Sequence, residues 1–261
     1  MLLSNVEVQR AIQSATVAEI AWTEAGRPDV HPVTPLVLAG QPVLALPFAY
    51  EDLARVLAAS PDAALTLTDT RMTGSSWRSL AITGKPRLVA DRDGDVFSAQ
   101  LLDQELRKYP PSRALADSPL LRREHWWYLP RLLILLDDAS SAPLPPRVSP
   151  THQVLAVVSH HRLVVDTVDV ASSTGDAAAL TLRSLAGDEL PEGTAALLGH
   201  DFSVPDLERW TPWVTRGHLE SGTIRVTDRP SRTTLEPVPG VRQRLRQQRQ
   251  LEKACRRAIG D

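Results

Sequence analysis

The stretch from Glu24 to Leu57, EAGRPDVHPVTPLVLAGQPVLALPFAYEDLARVL, alternates apolar and polar residues as a strand does, yet it contains five prolines. Proline has no backbone N–H to donate, so within a sheet it is confined to edge strands, strand ends and bulges. The fragments EAGRPD and AGQ each carry the glycine that a tight reversal favours. Together with the preceding run ATVAEIAW, the stretch predicts three antiparallel strands with exposed edges.

The rest of the first half continues this mixture of strands and helices. A helix is predicted over YEDLARVLAA, where Leu53 and Leu57 share one face. DAALTLTD, SLAITGKPRLVAD and RLLILLDD are three further strand candidates, and two helices separated by Pro110 and Pro111 precede the last of them. After a short N-terminal helix, residues 1–140 therefore predict a mainly β domain with flanking helices, an α+β class.

A proline-rich segment divides the chain. SSAPLPPRVSP contains four prolines, so we interpret residues 141–150 as a linker between two domains. Three later segments match earlier ones in the same order: VLAVV at 154–158 and AEIAW at 18–22, AALLGHD at 195–201 and AALTLTD at 63–69, SGTIRVTD at 221–228 and TGKPRLVAD at 83–91. The matches predict a degenerate second copy over residues 151–238, although short strand patterns also coincide by chance.

The composition excludes several functional classes. A net charge of −2 gives no global basic field, so bulk attraction to nucleic acid or to an anionic membrane is not expected. The single Cys255 excludes an internal disulfide framework and a multi-cysteine zinc site, and it fits a reducing compartment. No apolar run approaches the ~20 residues of a membrane helix, and we expect a cytoplasmic protein without a membrane partner.

Residues 239–261 predict a basic C-terminal helix, PGVRQRLRQQRQLEKACRRAIGD. We interpret its arginines as a solvated face. Nucleic-acid binding is not expected, because the segment contains no aromatic residue on which a base would stack.

Motifs of hydrolases, metal sites and phosphate loops are absent from the sequence. His160 and His161 are adjacent, so in a strand they point to opposite faces and cannot chelate a metal together. Neither His200 nor His218 has a Ser or Cys nucleophile motif nearby, and no Rossmann or Walker loop occurs. No metal ligand and no catalytic residue are therefore assigned.

The motif Gly26-x-Pro28-x-x-x-Pro32-Val33, followed by PVLALP, by a helix ending ASPDAALTL and by LAITGKPRLVAD, resembles the split-barrel families related to pyridoxamine 5′-phosphate oxidase. The resemblance covers about residues 15–138, and RKYP and EHWWYLPRLLIL are similar to the last helix and strand of such domains. It implies a six-stranded Greek-key split barrel, two of which pair to form cofactor sites. FMN, a deazaflavin or occasionally haem is the implied cofactor, although some relatives have lost it.

This chain departs from the resemblance at the residues that would bind the phosphate of a flavin. Similar proteins place Lys or Arg at the start of the helix after the third strand, whereas this chain has Glu51 and Asp52, which repel an anion. The nearest cation, Arg55, has the i, i+4 spacing of an ion pair with Glu51. Replacement cations are sought among Arg71, Arg78, Lys85 and Arg87, with Ser75 and Ser76 as further phosphate donors.

A flavin also needs a flat, largely apolar slot for its ring. Trp127 and Arg131 have a spacing that puts an indole and a guanidinium beside such a ring, although a core position explains the Trp as simply. The cofactor-contacting candidates are His31, Pro32, Val33, Thr34, Arg55, Ser76, Trp77, Lys85, Arg87, Trp127 and Arg131.

Two hypotheses about function remain open at this point. A flavin-binding oxidoreductase acting on an unknown small molecule is favoured by the intact Gly26-to-Val33 motif. A cofactor-free binding or assembly module is favoured by the acidic turn at Glu51. Haem binding requires an axial ligand, for which His31, His125 and His200 are the nominal candidates. In each case the barrels are expected to pair, either in a homodimer or as a pseudo-dimer within one chain.

Overall fold

The structure is a computed structural model that describes residues 5–113, 126–171 and 178–260. Its first sheet contains seven antiparallel strands: β1 (Ala18–Glu24), β2 (Arg27–Val33), β3 (Leu36–Leu38), β4 (Gln41–Pro47), β5 (Ala63–Leu67), β6 (Leu80–Asp91) and β7 (Arg131–Pro143). The strands lie in the order β2-β1-β5-β6-β7-β4-β3. Three helices flank this sheet: α1 (Asn5–Ser14), α2 (Glu51–Ala59) and α3 (Leu102–Lys108). The second helix predicted after Pro111 falls largely on residues 114–125, outside the described residues.

Strands β2 and β3 are two halves of one interrupted strand. Only Thr34 and Pro35 separate them, yet they lie at opposite ends of the sheet order. Three residue steps span at most about 11 Å, or roughly two strand spacings. The two ends of the sheet must therefore approach each other, and the sheet curls into a split barrel with its opening at this interruption.

The prolines of β2 occupy positions where no ladder hydrogen bond is lost. Ala25 and Gly26 form the two-residue turn between β1 and β2, with the positive φ values (48° and 76°) that such a hairpin requires. Glu24 and Arg27 then exchange hydrogen bonds across the hairpin, and the N–H positions of residues 28 and 32 face away from β1. The prolines blunt the outer edge of β2, as the sequence predicted.

Helix α3 supports the interrupted strand from outside the sheet. The Gln104 side chain accepts a hydrogen bond from the Val37 N–H at 3.0 Å and donates one to the Val37 carbonyl at 2.8 Å, as a neighbouring strand would. One turn later, the Lys108 Nζ donates to the carbonyl oxygens of Ile12 and Pro35, both at 2.6 Å. These two side chains bond backbone groups of the interrupted strand, at Pro35 and Val37, and the Ile12 carbonyl near the end of α1.

The second sheet is a closed barrel of six strands: β8 (His152–Ser159), β9 (Arg162–Ala171), β10 (Ala179–Ser184), β11 (Gly193–Phe202), β12 (Trp210–Glu220) and β13 (Thr223–Asp228). A long helix, α4 (Val241–Ile259), follows it. The predicted mainly β, α+β fold with Greek-key split-barrel domains is confirmed.

The two barrels share one order of strand connections. When β2 and β3 are counted as one strand, the first ring runs β1-β2/β3-β4-β7-β6-β5 and the second β8-β9-β10-β13-β12-β11. The segments at 18–22 and 154–158, and those at 63–69 and 195–201, fall on equivalent strands. The third pair falls on β6 and β13, which are not equivalent. A common origin of the halves stays a prediction, as do the domain boundaries. β7 extends to Pro143, three residues into the predicted linker, because residues 140–143 continue to pair with β6.

Equivalent faces of the two barrels pack against each other. The face of β1, β2 and β5 meets the face of β8, β9 and β11 through a cluster of mostly small apolar side chains, which allows the sheets to approach closely. The members of the cluster are Ala21, Val30, Ala64, Val154, Ala156, Leu163, Ala196 and Leu198.

We expect the stability of this protein to rise with pH between about 7 and 10.5 through Lys108. Burial lowers the pKa of Lys108 from 10.5 to about 7. In this range the unfolded chain binds a proton that the folded chain does not, so unfolding becomes less favourable as pH rises, by at most about 1.4 kcal/mol per pH unit. Urea unfolding of the Lys108→Met variant should not show this rise of stability with pH. The variant should also be less stable than the parent protein over the whole pH range, because the carbonyls of Ile12 and Pro35 lose their donor.

The matched control is Lys85→Met, since the Lys85 side chain is 74 % exposed. That variant should keep the pH dependence of the parent protein. Identical pH profiles for Lys108→Met and the parent would show that the Lys108 amine does not titrate as its burial requires.

Candidate functional site

The predicted ring-contacting residues lie together at the end of β2. His31 stacks on the buried Trp22, with ring centroids 5.3 Å apart and an interplanar angle of 14°. Pro32, Val33 and Thr34 follow it and are half-buried, and Val33 packs against the core of the first barrel. The structure therefore brings these four candidates to one place beside the free edge of β2.

A charged side chain of the second barrel contacts β2 near these residues. Arg216 of β12 binds the Asp29 carboxylate, with Nη2 at 2.7 Å from Oδ1. Burial lowers the pKa of His31, with Arg216 acting in the same direction and Asp29 opposing it. His31 is thus held as a neutral ring between the two barrels.

The predicted phosphate cations are engaged by carboxylates of this chain. Arg55 pairs with Glu51 at 2.6 Å, as the helical spacing predicted. Arg87 donates from Nη2 to Asp137 Oδ1 at 3.1 Å, and Lys85 Nζ lies 3.9 Å from Asp138 Oδ2 on the same side of the sheet. Arg71 is shared between Asp69 at 2.8 Å and Asp201 at 2.6 Å. These four cations are already neutralised within the protein.

The loop that supplied the other phosphate candidates runs along the surface. Ser75, Ser76 and Arg78 are exposed, and the Arg78 Nη1 donates to the Trp77 carbonyl at 2.7 Å. Trp77 itself packs against the core of the first barrel, and within the described residues its buried indole N–H has no hydrogen-bond partner. The loop does not gather these side chains around one point.

Trp127 and Arg131 lie in the interior of the first domain. Each is 1 % exposed. The Arg131 guanidinium lies over the rings of both Phe97 and Tyr128, at 4.0 and 4.1 Å from their centroids, and 3.7 Å from Glu105. Their contact with a cofactor stays a prediction, which this packing does not favour.

The corner that the family resemblance assigns to a phosphate is covered by α4. A single 3₁₀ turn, Phe48–Tyr50, leads into α2, whose first turn carries Glu51 and Asp52. Cys255 of α4 is completely buried against this turn. Burial raises the pKa of its thiol, and hydrogen bonds from the backbone N–H groups of Ala49 and Phe48 to the sulfur oppose that shift.

These residues do not fit a flavin phosphate. Cys255 of α4 is buried against the turn, two carboxylates stand at the start of α2, and the nearest cation is paired with one of them. A phosphate at this corner would face uncompensated negative charge, so no catalytic step is derived through a flavin here.

A buried polar network, which sequence reasoning missed, joins the two barrels. The Glu19 carboxylate of β1 accepts hydrogen bonds from Arg147 at 2.5 Å and from His200 of β11 at 2.9 Å. Its other oxygen accepts from the hydroxyl groups of Thr66 at 2.7 Å and Thr68 at 3.1 Å. All five residues are buried, and together they connect the first barrel, the interdomain segment and the second barrel.

The partners of this network fix its protonation states. Although burial alone would raise the pKa of Glu19, Arg147 and the His200 hydrogen bond lower it to about 2. The Trp210 indole N–H donates to His200 Nδ1 at 3.3 Å, so the ring proton sits on Nε2 and points to Glu19. Burial lowers the pKa of His200 and keeps it neutral. Both His200 nitrogens are therefore occupied.

The charged residues of the network carried a weak signal in the sequence. Glu19 interrupts the apolar run AEIAW and His200 ends the run AALLG, so each is a polar residue inside a strand that is otherwise buried. Arg147 lies among the linker prolines and has no local pattern at all. Only the fold brings the three together.

The haem candidates are not assembled into an axial site. His31 is stacked on Trp22, both nitrogens of His200 are bonded, and His125 lies outside the described residues. In the part of the chain that the structure describes, no group of three or more His, Cys, Asp or Glu side chains is arranged to hold a metal. Among the described residues, no helix combines the length and apolarity needed to cross a membrane.

Comparison with known proteins identifies the first barrel. Residues 4–129 match the family model described as pyridoxamine 5′-phosphate oxidase. No curated protein matches the chain.

Several solved structures resemble the chain at low similarity. An FAD and haem binding protein from Mycobacterium smegmatis is 18 % identical over 72 % of this chain and 92 % of its own, with a TM-score of 0.38. The flavocytochrome Anf3 from Azotobacter vinelandii is 13 % identical over 72 % and 87 %, also at 0.38. A haem binding protein from Mycobacterium smegmatis is 16 % identical over 98 % and 99 %, at 0.32.

These TM-scores are too low to support a conclusion about what this chain binds. The family model, by contrast, spans β1 to β6 and includes the whole Gly26-to-Val33 motif. The resemblance seen in the sequence is therefore confirmed over residues 4–129, which match the pyridoxamine 5′-phosphate oxidase family.

Proposed function

We propose that this chain is a split-barrel binding and assembly module that does not hold a flavin phosphate at the family's position. The observation that carries the proposal is the closed corner at Phe48–Asp52, where Cys255 of α4 is completely buried against the turn and two carboxylates follow. Arg55, Arg71, Lys85 and Arg87 are all paired with carboxylates, which supports the same conclusion. The lone cysteine supports a cytoplasmic location.

The proposal includes an internal pseudo-dimer. Equivalent faces of the two barrels contact each other through small apolar residues, and the Glu19–Arg147–His200 network and the Asp29–Arg216 ion pair cross the same joint. One chain thereby supplies both halves of a barrel-to-barrel interface, and a second copy is not needed to complete it.

A flavin-dependent oxidoreductase is the second candidate. It is favoured by the family match over residues 4–129 and by the His31–Trp22 ring pair beside Arg216. In this case FMN or a deazaflavin would supply hydride or electron transfer to a small molecule. His31, Pro32, Val33 and Thr34 would contact its ring, and the neutral His31 would face it without adding charge.

Flavin uptake separates the two candidates. The purified protein is mixed with FMN, FAD or a deazaflavin, desalted, and examined by visible absorption. We expect the protein to emerge colourless, because the closed corner offers no site for a phosphate.

A flavin band that stays with the protein after desalting would instead establish the second candidate. In that event Arg55→Ala and Arg87→Ala test the predicted phosphate contacts, with Arg183→Ala as a control on an exposed strand residue of the second barrel. Loss of flavin in the first two variants and not in the control would identify the cation that binds it.

The barrel-to-barrel network should be worth far more than a surface ion pair. Arg147→Met leaves the buried Glu19 carboxylate without its cation, and we expect the free energy of unfolding to fall by about 3–5 kcal/mol. Arg87→Met breaks a solvent-screened surface pair and should lower the free energy of unfolding far less than Arg147→Met does. Chemical unfolding at neutral pH measures both.

The double variant Glu19→Gln, Arg147→Met removes both charges and should recover part of the loss, since no unpaired buried charge remains. Equal effects of Arg147→Met and Arg87→Met would mean that the network does not hold the barrels together.

A further inference from the structure

The first half of α4 projects away from the body of the protein. Residues 241–247 are exposed at every position, and burial begins only around Leu251 and becomes complete at Cys255. Residues 241–250 form about 15 Å of helix. Contacts that hold α4 on the rest of the protein include the buried Cys255 and the Arg256 guanidinium, which lies over Trp126 at 5.0 Å. In the first half of the helix, Arg244 forms an ion pair with Glu208 at 2.9 Å. Most of the circumference of this half is open to a partner.

Four cations are aligned on one side of this helix. Arg242, Arg246, Arg249 and Lys253 follow each other at helical spacing and, with Leu245 and Gln250, line a concave surface of about 410 Å³. In the described part of the chain, the side chains of these four cations make no ion pair and no hydrogen bond. Four cations of the first barrel differ from them, because each one is already paired with a carboxylate of this chain. These cations are Arg55, Arg71, Lys85 and Arg87.

Charge is strongly segregated between α4 and the rest of the chain. The helix contains seven basic residues and one acidic residue, Glu252. Since the whole chain has a net charge of −2, the remainder carries −8 against +6 on α4. A polyanion is therefore attracted to this helix and repelled by the rest of the surface, which gives it one orientation of approach.

The start of α4 independently points to an anionic ligand. The N-cap is Gly240 without a side-chain cap, and no acidic residue lies in the first turn. Arg242 instead places an unpaired positive charge at the positive end of the helix dipole, an arrangement that is unfavourable in the isolated helix, whereas Arg244 is paired with Glu208. An anion bound there would relieve the repulsion and would also meet free backbone N–H groups.

We propose that the exposed cationic side of α4 binds the phosphate backbone of duplex nucleic acid through Arg242, Arg246, Arg249 and Lys253. The four cations extend over about 16 Å of helix, enough to contact several phosphates. A helix that is free around most of its circumference enters a major groove about 12 Å wide, whereas a helix packed along its length does not. The absence of aromatic residues excludes stacking on single-stranded bases as the main contact. The sequence alone favoured a solvated face, and the projection of the helix changes that interpretation.

A second copy of the helix is a poorer partner, because two such cationic faces repel each other. An acidic protein segment is the remaining alternative, and the experiment distinguishes it. The proposal does not depend on the proposed function, since the four cations are all exposed and none of them is among the residues of α4 that pack against the first barrel.

Fluorescence anisotropy with a labelled random-sequence DNA duplex tests the proposal on the full chain. We expect binding at low salt that weakens steeply as salt rises. Arg246→Gln combined with Arg249→Gln should weaken binding about tenfold and should reduce the slope of log affinity against log salt by about two. Circular dichroism should show an unchanged fold, because both side chains are exposed.

The control combines Arg183→Gln with Arg225→Gln, which removes the same charge from exposed strands of the second barrel. It should bind DNA as the parent protein does. The proposal would be overturned if the parent protein did not bind the duplex at low salt, or if the control variant lost as much affinity as the Arg246, Arg249 variant. Displacement of the duplex by poly-glutamate at equal charge would also overturn it and would indicate an acidic protein partner.

Discussion

The Glu19 carboxylate joins three parts of the chain that are far apart in sequence. It lies in the first strand of the first barrel, yet its hydrogen-bond donors come from the interdomain segment, through Arg147, and from the second barrel, through His200. A carboxylate buried this deeply is tolerated only when its oxygens are fully bonded and its charge is balanced. The relative position of the barrels, and with it the closure of the seam at β2, depends on keeping those donors in place.

Like the bonds of Glu19, the interruption between β2 and β3 affects the structure well beyond its own residues. The break at Thr34 and Pro35 is where this strand passes from one end of the sheet order to the other, whereas the equivalent strand β9 is continuous in the closed second barrel. Gln104 and Lys108 of α3 bond backbone groups on the β3 side of the break, at Val37 and Pro35. Pro35 lies at the break itself, and Pro28 and Pro32 lie where no hydrogen bond to β1 is lost.

The sequence predicted the features that depend on local pattern. The hairpin at Ala25–Gly26, the edge position of the prolines and the Arg55–Glu51 pair follow from composition and spacing over a few residues, and the family motif added the topology of the first barrel. The site could not be read in the same way. That Arg71 is shared with Asp201, that Arg131 lies over the Phe97 ring, and that Cys255 covers the turn at Phe48 all depend on contacts between residues remote in the chain.

Two barrels with the same connections lie in one chain, and this changes what each half must retain. In an assembly of identical subunits, every substitution appears on both sides of the interface and is tested twice. Here the covalent connection keeps the two barrels at a high effective concentration at any concentration of the protein. The barrels can therefore still pair when substitutions accumulate in one of them. Arg147 occurs once in the chain, so the two barrels do not contribute identical side chains to their joint. A chain built in this way can change one side of the joint without changing the other, which a symmetric dimer cannot do.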